Sequence, residues 1–560
     1  MAERGPRTDA TGVRDAARDP ETGTVGGAGR VVAIDGRTLT LAQVEAVARD
    51  RIRVRLDAAA AERIRASRTV LEGLIEGGTR IYGVNTGFGR LADVRIPRSE
   101  QRALQRNLVR SHAAGAGAPL PPEEVRAIMV LRANTLARGQ SGCRPAVVER
   151  LLELLNREVH PVVPETGSVG ASGDLVPLAH IALALTGEGR AEAGGRDAEA
   201  AELLAEVGIA PLELFEKEAL ALLNGTQATT GIGALALRRF GRALDTADVA
   251  GAMSLEGLRG TPDAFRPEIH HARPHPGQVR SASRLWALLQ GSQIRESHRT
   301  GDPRVQDAYS LRCIPQVHGA AREAHGYAHR ILATEANSTT DNPLVLPAGD
   351  DGESAGTRRE PAAESSPPGR GGARPASGAR VLSGGNFHAQ IVAQCLDLVA
   401  IAAADLASIS ERRIDRLLNP DLSGLPAFLT PKPGIRSGLM VAQVTAADAL
   451  SEMRVLASPA SVDSVSTSAA QEDHVSMGMA AARKVRRSVE LLELVLAVEL
   501  LCAAQAVEFH RPLRAGRGVE EALETVRGRV SRMDGDRVLS GDIEAVATLV
   551  RQGAVTHPEA

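Results

Sequence analysis

Ala171-Ser172-Gly173 lies inside the run Gly167-Ser168-Val169-Gly170-Ala171-Ser172-Gly173-Asp174-Leu175, the most unusual stretch of this sequence. Four chemistries compete for it. The first is a glycine-rich entry to the apolar helical stretch from Val176 to Leu185, with Asp174 as N-cap and Pro177 in the first turn. The second, a hydrolase nucleophile elbow, fails because Asp174 stands where the last glycine of G-x-S-x-G belongs. The third, phosphate held at a helix N-terminus, lacks the Gly-Lys-Ser/Thr that should follow. The fourth uses all three small residues. The Gly173 nitrogen approaches the Ala171 carbonyl carbon, the ring closes, and loss of two waters turns Ser172 into the exocyclic methylene of an imidazolone. That ring is a strong electrophile made from the chain itself.

An electrophile for an amine needs a base and a carboxylate clamp beside it. The chain has three tyrosines, and two of them, Tyr82 and Tyr309, sit in Gly- or Asp-rich loops rather than on apolar stripes. A tyrosinate in positive surroundings is a strong base; the ordinary alternative is a half-buried ring with a satisfied hydroxyl. Arg312 has a fork suited to a carboxylate, or to a structural ion pair with Asp307. Asn224 and Gln306 offer amides to a ligand or to a helix neighbour. Phe387 alone reads as core. Glu472 suits an ammonium or imidazole, and with Asp473 beside it also reads as a solvated acidic turn.

Metal and nucleotide signals are weaker. His318, His325 and His329 fall on one helical face, but no carboxylate completes a ligand set, so a satisfied helical surface is the expectation. Gly87-Phe88-Gly89-Arg90-Leu91-Ala92 and Gly231-Ile232-Gly233-Ala234-Leu235-Ala236 fit G-x-G-x-x-A without a strand–turn–helix unit around them, which argues against a dinucleotide. Cys143, Cys313, Cys395 and Cys502 are far apart and read as buried reduced thiols in a cytosolic protein. The balance of 66 Lys+Arg against 68 Asp+Glu, net charge −2, argues against nucleic acid or an anionic membrane as the main partner. The basic residues are almost all arginine, so a Schiff-base lysine has only Lys217, Lys432 and Lys484 to draw on.

The elements that must hold these groups are helices. The chain has 560 residues, 43% of them hydrophobic, enough for a large core. Ile391, Cys395, Leu398, Ala402, Leu406 and Ile409 recur at three- and four-residue steps between His388 and Leu417. Similar patterns run over 212–258, 436–456 and 488–509, and strand-like runs are few and short. Helices of this length suit a long bundle, so a mainly α architecture is expected. No membrane span is expected; Leu491 to Phe509, the best candidate, is interrupted by Glu493, Glu499 and Glu508. Residues 1–30 carry five acids, Glu3, Asp9, Asp15, Asp19 and Glu21, and no apolar run, and read as a disordered tail. Pro347 to Arg380, with no large apolar side chain, reads as a disordered insertion. The organisation expected is this tail, a smaller N-terminal region over 31–220 with the Tyr82 loop, a long-helix bundle over 221–512, and C-terminal helices over 513–560.

Six segments, in order, resemble the histidine and aromatic amino-acid ammonia-lyases: Tyr82-Gly83-Val84-Asn85-Thr86-Gly87-Phe88-Gly89; Gly167 to His180; Leu222-Leu223-Asn224-Gly225-Thr226-Gln227; Arg304 to Cys313 with Gln306-Asp307-Ala308-Tyr309; Gly385-Asn386-Phe387-His388; and Gln471-Glu472-Asp473-His474-Val475-Ser476-Met477-Gly478. The resemblance spans about Val31 to Leu513. It implies a homotetramer of the fumarase/aspartase-like type, with active sites shared between chains, and a 4-methylidene-imidazol-5-one formed from Ala171, Ser172 and Gly173, with no metal or nucleotide required. It places Tyr82 as the β-hydrogen base, with Glu472 the alternative. Tyr309 and Asn224 support the ring and amine, Arg312 holds the carboxylate, Gln306 helps to bind substrate, and Phe387 stands at the site wall. Ser111-His112, after Asn107-Leu108-Val109-Arg110, is the histidine-lyase pair where phenylalanine- and tyrosine-specific relatives carry Phe-Leu or His-Leu. His112 and Glu472 would then recognise an imidazole. The implied reaction is deamination of L-histidine to trans-urocanate and ammonia, the first step of histidine degradation, in the cytoplasm. A tyrosine lyase or aminomutase on the same scaffold is the rival, an inactive helical homologue the non-enzyme one. Ala308 and Ile314, where many relatives have Pro and Gln, put fine specificity in question.

Overall fold

The computed structural model describes residues 31–348 and 379–556. The expected disordered tail over 1–30 and most of the expected insertion lie outside the described residues. Among these residues the chain is mainly α, with a few two- and three-stranded sheets. The parallel pair β1 (Val31–Ile34) and β2 (Arg53–Leu56) starts the chain, followed by helix α1 (Ala58–Glu76). Helices α2 (Gln101–His112), α3 (Pro122–Ala137), α4 (Leu175–Leu185) and α5 (Glu218–Leu223) come next. The long bundle is α6 (Gln227–Gly257), α7 (Ile314–Ala336), α8 (Gln390–Leu418), α9 (Met440–Leu456) and α10 (Gly478–Glu508), capped by α11 (Ser540–Gln552).

α6 is the axis. It packs against α3, α7, α8 and α10, and 26 of its residues are buried, so it is apolar nearly all round, as a central helix must be. Gly231 and Gly233, the second G-x-G-x-x-A run, serve this packing. A Cβ on Gly233 would lie 2.8 Å from Leu396 of α8, and one on Gly231 3.2 Å from the Ile128 backbone of α3. The acids that interrupt α10 are neutralised by arginines: Glu493 accepts from Arg239 at 2.7 and 2.9 Å, and buried Glu499 from Arg413 at 2.5 and 2.9 Å. Ser254 and Ser410 also donate to Glu499, which ties α6, α8 and α10 together.

Several expectations need correction. The pattern over 212–258 is not one helix, because α5 stops at Leu223 and α6 starts at Gln227. Asn224-Gly225-Thr226 between them is non-helical, with Asn224 extended, and Gly225 bridges to Gly173. The helix most like a membrane span is α8, not 491–509; its most apolar window has mean hydropathy 1.7, and 61% of that window is buried in the bundle. His318 is no surface group. It is fully buried, and its Nδ1 lies 2.8 Å from Asp248 Oδ1, in a network with Arg322, so a carboxylate does complete its surroundings, from α6. Cys313 is only partly buried, whereas the other three cysteines are buried and all four are free. The insertion ends before Ala379, which is buried. Arg380 belongs to β4 (Arg380–Leu382), which pairs antiparallel with β3 (Leu344–Leu346) in the register Leu346↔Arg380.

Candidate active site

Ser172 sits in a tight curl. Its own φ is +51° and that of Gly173 is +82°, and the Gly173 N–H turns back to the Gly170 carbonyl at 3.3 Å. Only a glycine fits at 173, since a Cβ there would lie 2.3 Å from the Gly225 carbonyl oxygen. The Asp174 N–H donates to that same oxygen at 2.7 Å. Asp174 is not the side-chain cap of α4 expected from the sequence. Its carboxylate crosses to the first turn of α6, accepting from the Thr229 N–H at 2.7 Å and the Thr229 hydroxyl at 2.9 Å. Burial pushes this carboxyl up to about 6 despite those bonds and one from Ser168. The curl is thus bolted to the N-terminus of α6, where unpaired N–H groups need an acceptor. The pairing of Asp174 with Thr229 leaves no signal in the sequence, because the partner helix begins more than fifty residues later.

Two of the expected groups, Glu472 and Asn224, converge directly on the curl. The Ser172 hydroxyl donates to Glu472 Oε1 at 2.9 Å. Asn224 Nδ2 donates to the Ser172 carbonyl at 2.8 Å, while Asn224 Oδ1 is buried with no hydrogen-bond partner. Asn224 is therefore not a helix-interior residue satisfied by a neighbour but a buried amide with one end free.

Tyr82 and His112 both feel the charge of the Glu472 carboxylate. The Tyr82 loop packs on α5 through Gly83, whose φ is +68° and where a Cβ would lie 2.6 Å from Leu220. The Tyr82 hydroxyl accepts from the Gly89 N–H at 3.1 Å, and its ring meets Phe88 edge-on. Among the described residues the influences on this phenol include no cation. Burial raises the phenol above its usual 10.0, the Gly89 N–H opposes this, and the charge of Glu472 adds to it. His112 ends α2, which packs on α4 and α5. Its Nδ1 lies 2.9 Å from the Leu108 carbonyl, so Nδ1 carries the proton and Nε2 of the neutral ring is an acceptor. Burial holds this imidazole below 6.5, against the pull of Leu108 O and Glu472. Phe387, half-buried, belongs to the loop laid against the Glu472 loop: the next residue, His388, stacks on His474 at 5.8 Å and 6°.

Gln306, Tyr309 and Arg312 do not join this group. They lie at the other end of α6, where Arg304 donates to the Leu258 carbonyl at 3.0 Å, Asp307 accepts from the Thr261 N–H at 2.7 Å and Arg413 donates to the Ser310 carbonyl at 3.4 Å. α6 has 31 residues, so about 45 Å separates its two ends. Gln306 is exposed, Tyr309 is 70% exposed and Val305 96%. The expected alternative for Arg312 also fails. Asp307 is taken by Thr261 and Arg304, and Arg312 lies over the Tyr309 ring at 4.6 Å with its Nε buried and unpaired. Among the described residues no cluster of three or more His, Cys, Asp or Glu has metal-ligand geometry.

This arrangement has known counterparts. Residues 39–528 match the model of the aromatic amino acid lyase family. A histidine ammonia-lyase of Anaeromyxobacter sp. (strain K) is 52% identical over 530 residues, which cover 93% of this chain and 99% of that protein. The crystal structure of histidine ammonia-lyase from Trypanosoma cruzi superposes with a TM-score of 0.83 at 42% identity, covering 94% of each chain. Tyrosine aminomutase from Streptomyces globisporus superposes with a TM-score of 0.84 at 38% identity, covering 94% of this chain and 98% of that one.

Proposed function

The chain belongs to the aromatic amino acid lyase family, and from that premise we propose that it is a histidine ammonia-lyase, a carbon–nitrogen lyase that converts L-histidine to trans-urocanate and ammonia in the cytoplasm. The observation that carries the reading is the convergence on Ser172 of Asn224 and Glu472, with Tyr82 and His112 within the field of that carboxylate.

Ala171, Ser172 and Gly173 suit a 4-methylidene-imidazol-5-one. The curl at 172–173, the lack of room for a side chain at 173 and the free, buried Asn224 Oδ1 all favour it. Once formed, the group supplies an electrophile that lets the amino group depart as ammonia. Asn224 holds the carbonyl of residue 172 through Nδ2. Tyr82 Oη is the proposed acceptor of the β-hydrogen, with Glu472 the alternative. The Gly89 N–H on Tyr82 Oη favours the phenolate, because a hydrogen bond to the charged form lowers a pKa. Burial and Glu472 oppose it, so a cation is needed nearby. His112 Nε2, bare in the neutral ring, accepts the N–H of a substrate imidazole, and Glu472 meets the other polar end of that substrate.

The missing cation and clamp are proposed to come from Tyr309, Arg312 and Gln306 of a second copy of the chain, with Phe387 at the wall. A symmetric homotetramer of antiparallel long helices would bring the far end of one α6 to the near end of another. Exposed apolar residues along α8 and α9, Ile391, Ile401, Val441 and Val444, fit such a contact, as do the exposed Tyr309 and the unpaired Arg312 Nε.

The equally good superposition of a tyrosine aminomutase makes substrate the point to test. The specificity constant for L-histidine should exceed that for L-phenylalanine by about 10⁴-fold or more, with L-tyrosine between or equally poor, since a site built to hydrogen-bond a substrate N–H rejects analogues that lack it. Preference for tyrosine, or β-tyrosine among the products, would overturn the assignment.

A further inference from the structure

Glu472 reaches Ser172 from a loop that closes on itself. The Thr467 N–H donates to the Glu472 carbonyl at 2.9 Å, the Glu472 N–H returns to the Thr467 carbonyl at 3.3 Å, and Thr467 Oγ1 donates to Glu472 Oε2 at 3.0 Å. Between these residues Ser468, Ala469 and Ala470 all have left-handed backbone, with φ of 52°, 51° and 64°. Each Cβ makes that conformation unfavourable, and three such residues in succession persist only where their surroundings over-determine them. Two restraints are visible. The Gln471 N–H donates to the Ser468 carbonyl at 3.2 Å. Ser468 also packs over Gly89, where a Cβ would come within 3.0 Å of the serine oxygen. Gly89 is the residue whose N–H holds the Tyr82 hydroxyl, so one turn couples the Glu472 loop to the Tyr82 loop.

The consequence concerns how the carboxylate is aimed. Oε2 is occupied by Thr467 and Oε1 points to Ser172. Without the threonine hydroxyl, nothing at Oε2 holds the side chain in place and the carboxylate is free to swing away from residue 172. We propose that Thr467 is the positioning residue for Glu472, its hydroxyl pinning Oε2 so that Oε1 is presented to the substrate at residue 172. The proposal rests on the reading of Glu472 as a substrate-facing group. The titratable neighbours that feel this carboxylate are Tyr82 on its own loop and His112 at the end of α2.

The test uses the purified full-length enzyme with Thr467→Val, which removes the hydroxyl but keeps the shape, and Thr467→Ser, which keeps the hydroxyl, each alone and combined with Glu472→Gln. Loss of one hydrogen bond to a charged group should lower kcat for L-histidine by about tenfold to a hundredfold with KM changed by about twofold at most. Thr467→Ser should stay within about threefold of the parent, and Thr467→Val should cost nothing further once Glu472 is glutamine. Parent-like turnover by Thr467→Val, failure of serine to rescue, or an equal loss with and without Glu472 would each overturn the proposal while leaving the role of Glu472 intact. Parent-like turnover by Glu472→Gln would instead sink the reading of Glu472, and the positioning proposal with it. Thr467→Ala takes the place of the valine variant if that chain does not fold.

Discussion

His112 is the residue on which substrate choice is proposed to turn. With Nδ1–H given to the Leu108 carbonyl, only Nε2 is left for the substrate, and only as an acceptor while the ring is neutral. Burial keeps the imidazole below 6.5, so the acceptor is present at neutral pH and is lost as the pH falls below that value. The specificity constant for L-histidine should therefore drop on the acid side and not through this group above pH 7; a pH profile of the parent and of His112→Leu checks it, the variant losing that limb. His112→Leu should also weaken histidine turnover and narrow the gap to L-tyrosine and L-phenylalanine. Arg312→Ala should hurt all three substrates alike, by about tenfold or more, because every amino acid carries the carboxylate that this guanidinium is proposed to grip. At this scale the sequence was informative where chemistry is local. Ser172 between two small residues, and the Ser111-His112 pair, are visible without a fold. The placement of Asp174 on Thr229, and of Thr467 on Glu472, was not, because both depend on loop closures that leave no periodic trace.

α6 is the element that decides how a site can be built. Its N-terminus carries the Ser172 curl and its C-terminus the Tyr309 loop, with about 45 Å of helix between them. The helical period over 212–258 was legible, but the break at Asn224-Gly225-Thr226 was not read as one, since Leu222 and Leu223 continue the apolar pattern up to the break. The break is what gives Asp174 its partner and lets Gly225 bridge Gly173. Two inactive variants at opposite ends of the helix, Ser172→Ala and Tyr309→Phe, should complement one another when co-expressed. Random mixing in a closed oligomer would leave about a quarter of the sites with both halves intact, if each site takes one half from each of two chains. Activity of the mixed preparation well above that of either variant alone is the expected result. Mixed oligomers as inactive as the separate variants would mean that both ends act within one chain or in none.

The molecule as a whole is a helical bundle whose termini and one long excursion lie outside the described residues. β3 and β4 bring the two ends of that excursion together in an antiparallel pair, with Leu346 opposite Arg380. Replacing residues 349–378 by a short Gly/Ser link should leave assembly and turnover nearly unchanged, since loop closure costs only about 0.6 kcal/mol for each doubling of length. Size-exclusion chromatography and a histidine assay on the shortened chain check this, and loss of the oligomer would make the excursion an interface element. The mainly α class was readable from periodicity. That the His318 face turns inward onto Asp248, and that α8 is a core helix despite its hydropathy, were decided by partners distant in sequence. The claim that unites these scales is that the chain makes its own electrophile at the near end of α6. Mass spectrometry of the peptide containing Ala171 to Gly173, taken from fully active enzyme, tests it directly. The account predicts a peptide lighter by two water molecules, with Ser172→Ala folded but inactive; an unmodified peptide in enzyme that still turns over histidine would contradict it.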